Sequence, residues 1–331
     1  MTVTTTQAAG PARIQAEYVL PQRWKDDTEI DDLTAYLLDL AKVVDVTVVD
    51  GSASPLLEEH HRAWGAHVRH IPPRPWPGRN GKVRGVMTGL RAARHPFVVL
   101  ADDDVRHDPT TLARGIGLLE DADLVIPQNV FTSWPWHARW DTGRQLLNRA
   151  GPGDYPGTFF VRRDALAEHG YDGDVLFENL EMIRTIEDGG GVVVPAPSLF
   201  VGRRPPTSGH FRSQRVRQAY DDLAQPGRLV VEAAVLPVLL LLRHRRRPLA
   251  ALALSAVLLG EYGRRREDGA TAFPASAALW ASVWALERAV CIWLALARRA
   301  AGGVPYGDGV IVRAATRSRS VPCTGPGVRT D

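Results

Sequence analysis

Short apolar runs recur along the first two hundred residues, and a stretch of helical periodicity separates each from the next. Few architectures accommodate that alternation. AEYVL at 16–20, VDVTVVDGS at 44–52, HVRHI at 67–71 and FVVLADDD at 97–104 read as strands. Between them EIDDLTAYLLDLAKV (29–43) places Ile30, Leu33, Leu37 and Leu40 on one helical face. SPLLEEHHRAWG is a short helix closed by Gly65, GKVRGVMTGLRAA (81–93) is another, and TTLARGIGLLED with ADLVIPQ adds a helix and a strand. Pro21 is expected to end the first strand. Strands alternating with helices predict an α/β domain whose sheet is largely parallel, and the sequence holds no internal repeat.

Composition changes after residue 225. GRLVVEAAVLPVLLLL (227–242), PLAALALSAVLLGEYG (248–263) and SAALWASVWALERAVCIWLALA (276–297) are strongly apolar, and RHRRR (243–247), RRR (264–266) and Arg298–Arg299 lie between and after them. These segments are expected to be membrane helices with basic and Trp anchors (Trp280, Trp284, Trp293). Only the third has the roughly 20 residues that a span needs, and Glu287 and Arg288 interrupt it. Two successive spans would put RHRRR and RRR on opposite sides, so one segment is expected to lie in the interface or re-enter. The alternative is a buried helical hairpin of a soluble subdomain.

The net charge of +3 over 331 residues is too small to indicate nucleic acid. Cys291 and Cys323 have no metal-ligand spacing and suggest no disulfide framework, which fits a reducing cytoplasm. MTVTTTQAAGPAR reads as a disordered lead (1–13) without a signal peptide.

Three consecutive aspartates, Asp102, Asp103 and Asp104, follow an apolar strand. Ligands of open parallel sheets bind at the carboxyl ends of strands. Continued strand alternation would turn Asp102 and Asp104 to one side and Asp103 to the other. Two converging carboxylates suit Mg²⁺ or Mn²⁺ shared with substrate phosphates; an Asp-rich turn is the ordinary alternative, and Asp108 before Pro109 reads as a helix N-cap. Asp50 ends another strand at the same edge, as a partner for a nucleobase or ribose or as an Asp-Gly turn. GRNGKVRG is not a Walker A loop, yet Lys82 at a helix start can sit near a diphosphate.

This order of features resembles family 2 glycosyltransferases of the GT-A fold. DYPGTFFVRRDAL (154–166) resembles the family's segment before an RR-x-AL helix, and LFENLEMIRTIEDGG (176–190) the segment that carries a Glu-Asp pair. HFRSQRVRQAYDD (210–222) resembles the Gln-x-x-Arg-Trp element of processive and lipid-directed members, and the apolar segments resemble those of ceramide glucosyltransferase-like enzymes. The resemblance spans about residues 15–300. It implies a Rossmann-like mixed sheet flanked by helices as catalytic domain (14–225), then membrane-associated helices (226–300) and a tail (301–331). It implies a nucleotide-diphosphate sugar donor, a lipid or polyisoprenoid-type acceptor, and a place at the cell membrane with the catalytic domain facing the cytoplasm.

Carried over residue by residue, Asp50 contacts the uracil or ribose, and Asp102 and Asp104 flank the diphosphate and its metal, with Asp104 the direct ligand. Asn179 stands where the family has its base, so the base falls to Glu178 or Glu181, with Glu178 preferred for its motif position. Gln214, Arg215 and Arg217 match the Gln-x-x-Arg element, with the arginines stabilising the leaving diphosphate, while Gln218 replaces the Trp. Trp134, Trp136 and Trp140 lie where the family has acceptor loops. The implied reaction is an inverting transfer in which a base takes the acceptor proton and a cation stabilises the leaving group. A sugar-phosphate nucleotidyltransferase is disfavoured because EYVLPQRWKDD lacks glycine; a non-catalytic scaffold is the other alternative.

Overall fold

The apolar runs pair into one sheet. The computed structural model describes residues 13–151, 153–307 and 309–316. The expected lead therefore lies outside the described residues except for Arg13, as do the last fifteen residues of the expected tail, Cys323 among them. The catalytic half runs β1 (Glu17–Gln22), α1 (Ile30–Leu40), β2 (Asp45–Asp50), α2 (Leu56–Trp64), β3 (Arg69–Ile71), α3 (Gly81–Ala92), β4 (Phe97–Ala101), β5 (Val105–Arg106), α4 (Pro109–Gly117), β6 (Leu124–Phe131), α5 (Trp136–Ala150), β7 (Thr158–Arg162), α6 (Asp164–Ala167), α7 (Glu178–Asp188), β8 (Val193–Arg203) and α8 (Ser208–Asp221). The C-terminal part follows as α9 (Pro226–Leu241), α10 (Arg246–Arg265), α11 (Gly269–Ala272), α12 (Trp280–Ala300), β9 (Val304–Tyr306) and β10 (Gly309–Ile311).

Eight strands take the order β3-β2-β1-β4-β7-β6-β8-β5. The first four are parallel, β7 runs antiparallel to both β4 and β6, β8 is parallel to β6, and β5 is antiparallel to β8. The sheet is mixed and flanked by helices. Alternate residues of its strands feed opposite cores, as a period of two requires. Tyr18, Leu20 and Val48 pack with Leu33, Leu37 and Trp64 on one face, while Val19, Val49 and Leu100 pack with Val86, Leu90 and Ile183 on the other. α3 lies close to the sheet because Gly89 faces Val19; a Cβ there would approach Val19 Cγ1 to 2.2 Å.

Two boundaries differ from expectation. β1 runs through Pro21 to Gln22, pairing Pro21 with Val49. The ladder to β4 stops at Val19, so one flank of the strand is already unpaired where proline lacks its N–H. β4 ends at Ala101, and Asp102–Asp104 form a turn closed by Val105 N–H donating to Asp102 O at 3.1 Å.

The apolar C-terminal segments form helices that dock on the catalytic half. α10 and α12 pack against α5, and α12 also against α8 and α9. Gly263 marks the closest approach, since a Cβ there would lie 1.9 Å from Leu146 O. Gly263→Ala should therefore lower the melting temperature. The clash is with backbone, at a cost of about 1–3 kcal/mol for overpacking, against at most about 1 kcal/mol gained in helix propensity. Glu287 and Arg288, which interrupt the third apolar segment, face inward: Arg288 donates to Asp222 at 2.8 Å and Glu287 lies 3.5 Å from Arg215. Trp284 is buried here rather than exposed as an anchor. Among the described residues one stretch, Ala275–Ala300, is long and apolar enough to cross a membrane.

Within the segment expected as a tail, β9 and β10 form a hairpin that returns to the catalytic half. Arg313 bridges Val175, Tyr306 Oη donates to Asn80 at 2.8 Å, and Thr316 reaches α7.

Candidate active site

The turn after β4 disperses its three carboxylates among three partners. Asp102 meets Lys82 Nζ at 2.6 Å, Asp104 accepts from Arg203 Nε at 2.7 Å, and Asp103 accepts from the Trp24 indole N–H. Asp102 and Asp104 line a cavity of about 320 Å³ and Asp103 does not. The expected division of sides holds, through a turn rather than through strand alternation.

Lys82 occupies the first turn of α3, where Asn80 caps the helix by accepting from Lys82 N and Val83 N. Its ammonium bridges Asp102 and Glu178, each at 2.6 Å. Burial would lower its pKa, but the two carboxylates outweigh that and hold it well above the usual lysine range. A lysine so placed is a strut between two sheet-end elements. Glu178 begins α7 and lines the cavity; burial pushes its pKa up, and the Lys82 ammonium only partly reverses this. Its Oε2 is buried without a hydrogen-bond partner. Asn179 donates from Nδ2 to Pro156 O at 2.9 Å.

Glu181 does not line the cavity. Its carboxylate accepts from Thr316 N at 2.6 Å and Thr316 Oγ1 at 2.8 Å, fastening the C-terminal segment to α7. Glu181→Ala should cost about 1–3 kcal/mol of stability by leaving the Thr316 donors unmatched. It should keep the transfer rate within tenfold of wild type, about 1.4 kcal/mol of barrier or less; thermal melting and kinetics on one preparation read both.

α8 brings Gln214, Arg215 and Arg217 to the same cavity. Arg215 is buried, 3.4 Å from Asp141 and 3.5 Å from Glu287, so its charge is committed to the scaffold. Arg217 has no carboxylate within ion-pair distance among the described residues; Gln214 Oε1 accepts from it at 3.3 Å and its guanidinium lies over Tyr306. Gln218, where the family has Trp, also lines the cavity. The aromatic segment 131–140 packs around Phe211 and Trp280, with Trp136 partly exposed.

Asp50, expected to contact the nucleoside, is 1% exposed and lies outside the cavity lining. His60 Nδ1 and His70 Nε2 donate to its Oδ2 at 2.5 and 3.1 Å, and Ser52 N–H donates to Oδ1 at 2.8 Å. These bonds overcome burial and hold its pKa well below the usual carboxylate range. The other nitrogen of His60 meets Asp27 at 2.9 Å, so both ring nitrogens are engaged. The Asp50–His60–His70 group has the ligand types of a metal centre, but as placed it is a closed hydrogen-bond lattice.

Several cavity residues carried no sequence signal as site residues. Arg203 closes β8; Asp141 and Arg144 sit one turn apart on α5; and Asp221, half-buried beside the buried Asp222, has its pKa pushed up to about 8 by loss of solvent. The i, i+3 spacing of Asp141 and Arg144 was visible, but nothing in it marked a cavity. Asp104 Oδ1 is buried without a partner while Oδ2 holds Arg203. A free carboxylate oxygen on Asp104, with Asp102 beside it, fits a hard divalent cation completed by ligand phosphates, such as Mg²⁺ or Mn²⁺.

Residues 29–170 match the family model for Glycosyl transferase family 2. The mannosyltransferase PcManGT from Pyrobaculum calidifontis, solved with GDP-Man and Mn²⁺, superposes with a TM-score of 0.51 at 17% identity, over 87% of this chain and 90% of that one. Glucosyl-3-phosphoglycerate synthase from Mycobacterium tuberculosis, solved with Mn²⁺ and UDP-glucose, gives 0.42 at 18% identity, over 62% of this chain and 77% of that one. Mannosyl-3-phosphoglycerate synthase from Rubrobacter xylanophilus gives 0.42 at 15%, over 65% and 75%. No curated protein matches the sequence. The fold is GT-A-like, a curled mixed sheet with flanking helices.

Proposed function

We propose that this protein is a glycosyltransferase that moves a sugar from a nucleotide-diphosphate donor to a hydroxyl of a lipid or polyisoprenoid-type acceptor, with inversion. Residues 14–225 form its catalytic domain and 226–300 its membrane-facing helices. One observation carries the reading: Asp102, Asp104, Lys82, Glu178 and Arg217 arrive from four separate elements at one cavity at the carboxyl end of the sheet. The family match over residues 29–170 supports it.

Asp102 and Asp104 would hold the divalent ion, which when bound offsets the charge of the donor diphosphate. Arg217, the cation least committed to a protein carboxylate, stabilises the diphosphate as negative charge develops on it. Lys82 keeps Asp102 and Glu178 in fixed register. Glu178 takes the acceptor proton through its unpartnered Oε2. Asp50 acts at the nucleoside end indirectly, by bracing His60 against Trp24 and His70 against Trp64. The partly solvent-shielded cavity makes each of these interactions stronger than in water.

Release of nucleoside diphosphate from a panel of nucleotide sugars, with Mn²⁺ or Mg²⁺ and a polyprenol or glycolipid acceptor, tests the proposal. Turnover of one donor that depends on the acceptor is expected. Donor binding without turnover across the panel would leave the non-catalytic scaffold in its place.

A further inference from the structure

α9 and α10 are joined by the short linker 242–245, and both pack on α12. The first half of α10 is exposed on nearly every side although it is apolar. Val231 and Leu241 on α9, Leu254 and Leu258 on α10, and Val290 and Leu294 on α12 are all exposed, Leu241 to 80%. α12 contacts both α9 and α10, so these side chains belong to neighbouring helices. Contiguous apolar surface on that scale marks an interaction site. In the linker and first turn of α10, Arg243, Arg245, Arg246 and Arg247 are exposed, and none has a carboxylate partner among the described residues.

Apolar helix faces edged by unpaired arginines match a bilayer surface with anionic headgroups, which attracts basic residues and accepts apolar side chains a short way into its acyl region. The geometry argues against a span. α9 has 16 residues, about 24 Å of helix at 1.5 Å per residue, short of a hydrocarbon core of about 30 Å; α10 has 20, but Gly260 and Gly263 hold its C-terminal half against Ala281 and Leu146. α12 is long enough, but its inner face is packed on α5 and α8, where Arg288 is paired with Asp222 and Glu287 faces Arg215 of the catalytic half. Sending α12 through a bilayer would carry those charges into hydrocarbon. We infer that the exposed faces of α9, α10 and α12, with the arginines of the α9–α10 linker, seat the protein on one leaflet of an anionic membrane, as a monotopic attachment that crosses nothing. This deepens the membrane-facing part of the proposed function and does not rest on the transfer chemistry.

The test is flotation of the purified full-length protein with vesicles of phosphatidylcholine alone or mixed with phosphatidylglycerol, with no donor present. Wild type should float with the anionic vesicles, prefer them over neutral ones, and be stripped by alkaline carbonate. Arg243→Glu combined with Arg245→Glu, Arg246→Glu and Arg247→Glu should weaken binding to anionic vesicles by about a hundredfold or more, with an unchanged melting temperature. Leu241→Asp with Leu254→Asp should lower binding to both vesicle types. Both variants should keep the rate of nucleoside diphosphate release toward a water-soluble acceptor, so a failed attachment and a failed enzyme read differently. Retention after carbonate would mean a span and overturn the inference. Equal binding of wild type and the arginine variant would overturn it as well. So would absence of vesicle binding with a concentration-dependent dimer in light scattering, which would make a second copy the occupant of this face.

Discussion

Glu178→Gln is expected to leave donor binding unchanged and to lower the transfer rate by about 10²–10⁴, the range for loss of a positioned general base. The substitution keeps side-chain length and leaves an amide oxygen for Lys82, so the Lys82–Asp102 contact at 2.6 Å should survive. Titration calorimetry with the nucleotide sugar reads binding, and single-turnover kinetics reads chemistry. The pH dependence follows from the direction of the shift. Burial raises the Glu178 pKa above the ordinary glutamate value, so the active, ionised form is lost as pH falls through a point above that value. The acid limb of kcat should sit correspondingly high in wild type and vanish in the residual activity of Glu178→Gln. The stability linkage has the opposite sense: a raised folded-state pKa favours the protein below the unfolded value and loses that contribution as pH rises. Acid inactivation at this residue should therefore be catalytic, without unfolding. Weakened donor binding in the variant would make Glu178 a positioning carboxylate.

Restoring the family's aspartate does not simply reverse the effect. Asn179 Nδ2 donates to Pro156 O, and an aspartate would set two acceptors against each other at 2.9 Å. Asn179→Asp should cost about 1–3 kcal/mol for the unmade bond, seen as a lower melting temperature. Rescue of Glu178→Gln by Asn179→Asp would show that the site can place a base at either position.

Asp104→Asn should reduce transfer by about 10²–10³, comparable to removing one preorganised electrostatic contact to a developing charge. The amide still accepts from Arg203 but cannot supply a second anionic oxygen to a cation. Mn²⁺ should then no longer strengthen nucleoside diphosphate binding, a readout independent of turnover. The ion pair with Arg203 is about a quarter exposed on each side, so the melting temperature should move little. Full wild-type turnover in excess EDTA would remove the metal from the mechanism.

The apolar runs of β1, β2, β4 and β6, which the sheet buries on both faces, and the 3.6-residue stripes of α1 and α3 were legible because each pattern lies within one local window. The capping box of Asp108 and Thr111 was half legible for the same reason: Asp108 caps the first turn of α4 from its own neighbourhood. β5, β7 and β8 were not read as strands. Two residues of β5 carry no periodicity, and the antiparallel insertion of β7 between β4 and β6 depends on long-range pairing that no local window contains. The apolar character of α9, α10 and α12 was plain, but which face each presents was not. Glu287 and Arg288 looked like interruptions of a span until α12 was seen docked on Asp222 and Arg215.

The chain by itself determined the kinds of side chain at the candidate site: two carboxylates after a strand, a lysine at a helix start, a glutamate opening a later helix and an arginine pair on α8. Tertiary packing alone decided what each is free to do. Lys82 is spent bridging Asp102 and Glu178, Glu181 is spent on Thr316, Arg215 on Asp141 and Asp50 on two histidines, whereas Glu178 Oε2, Asp104 Oδ1 and Arg217 keep capacity facing the cavity. The reason is that a buried polar atom takes whichever partner the fold places within about 3 Å, and those partners lie up to 135 residues away along the chain.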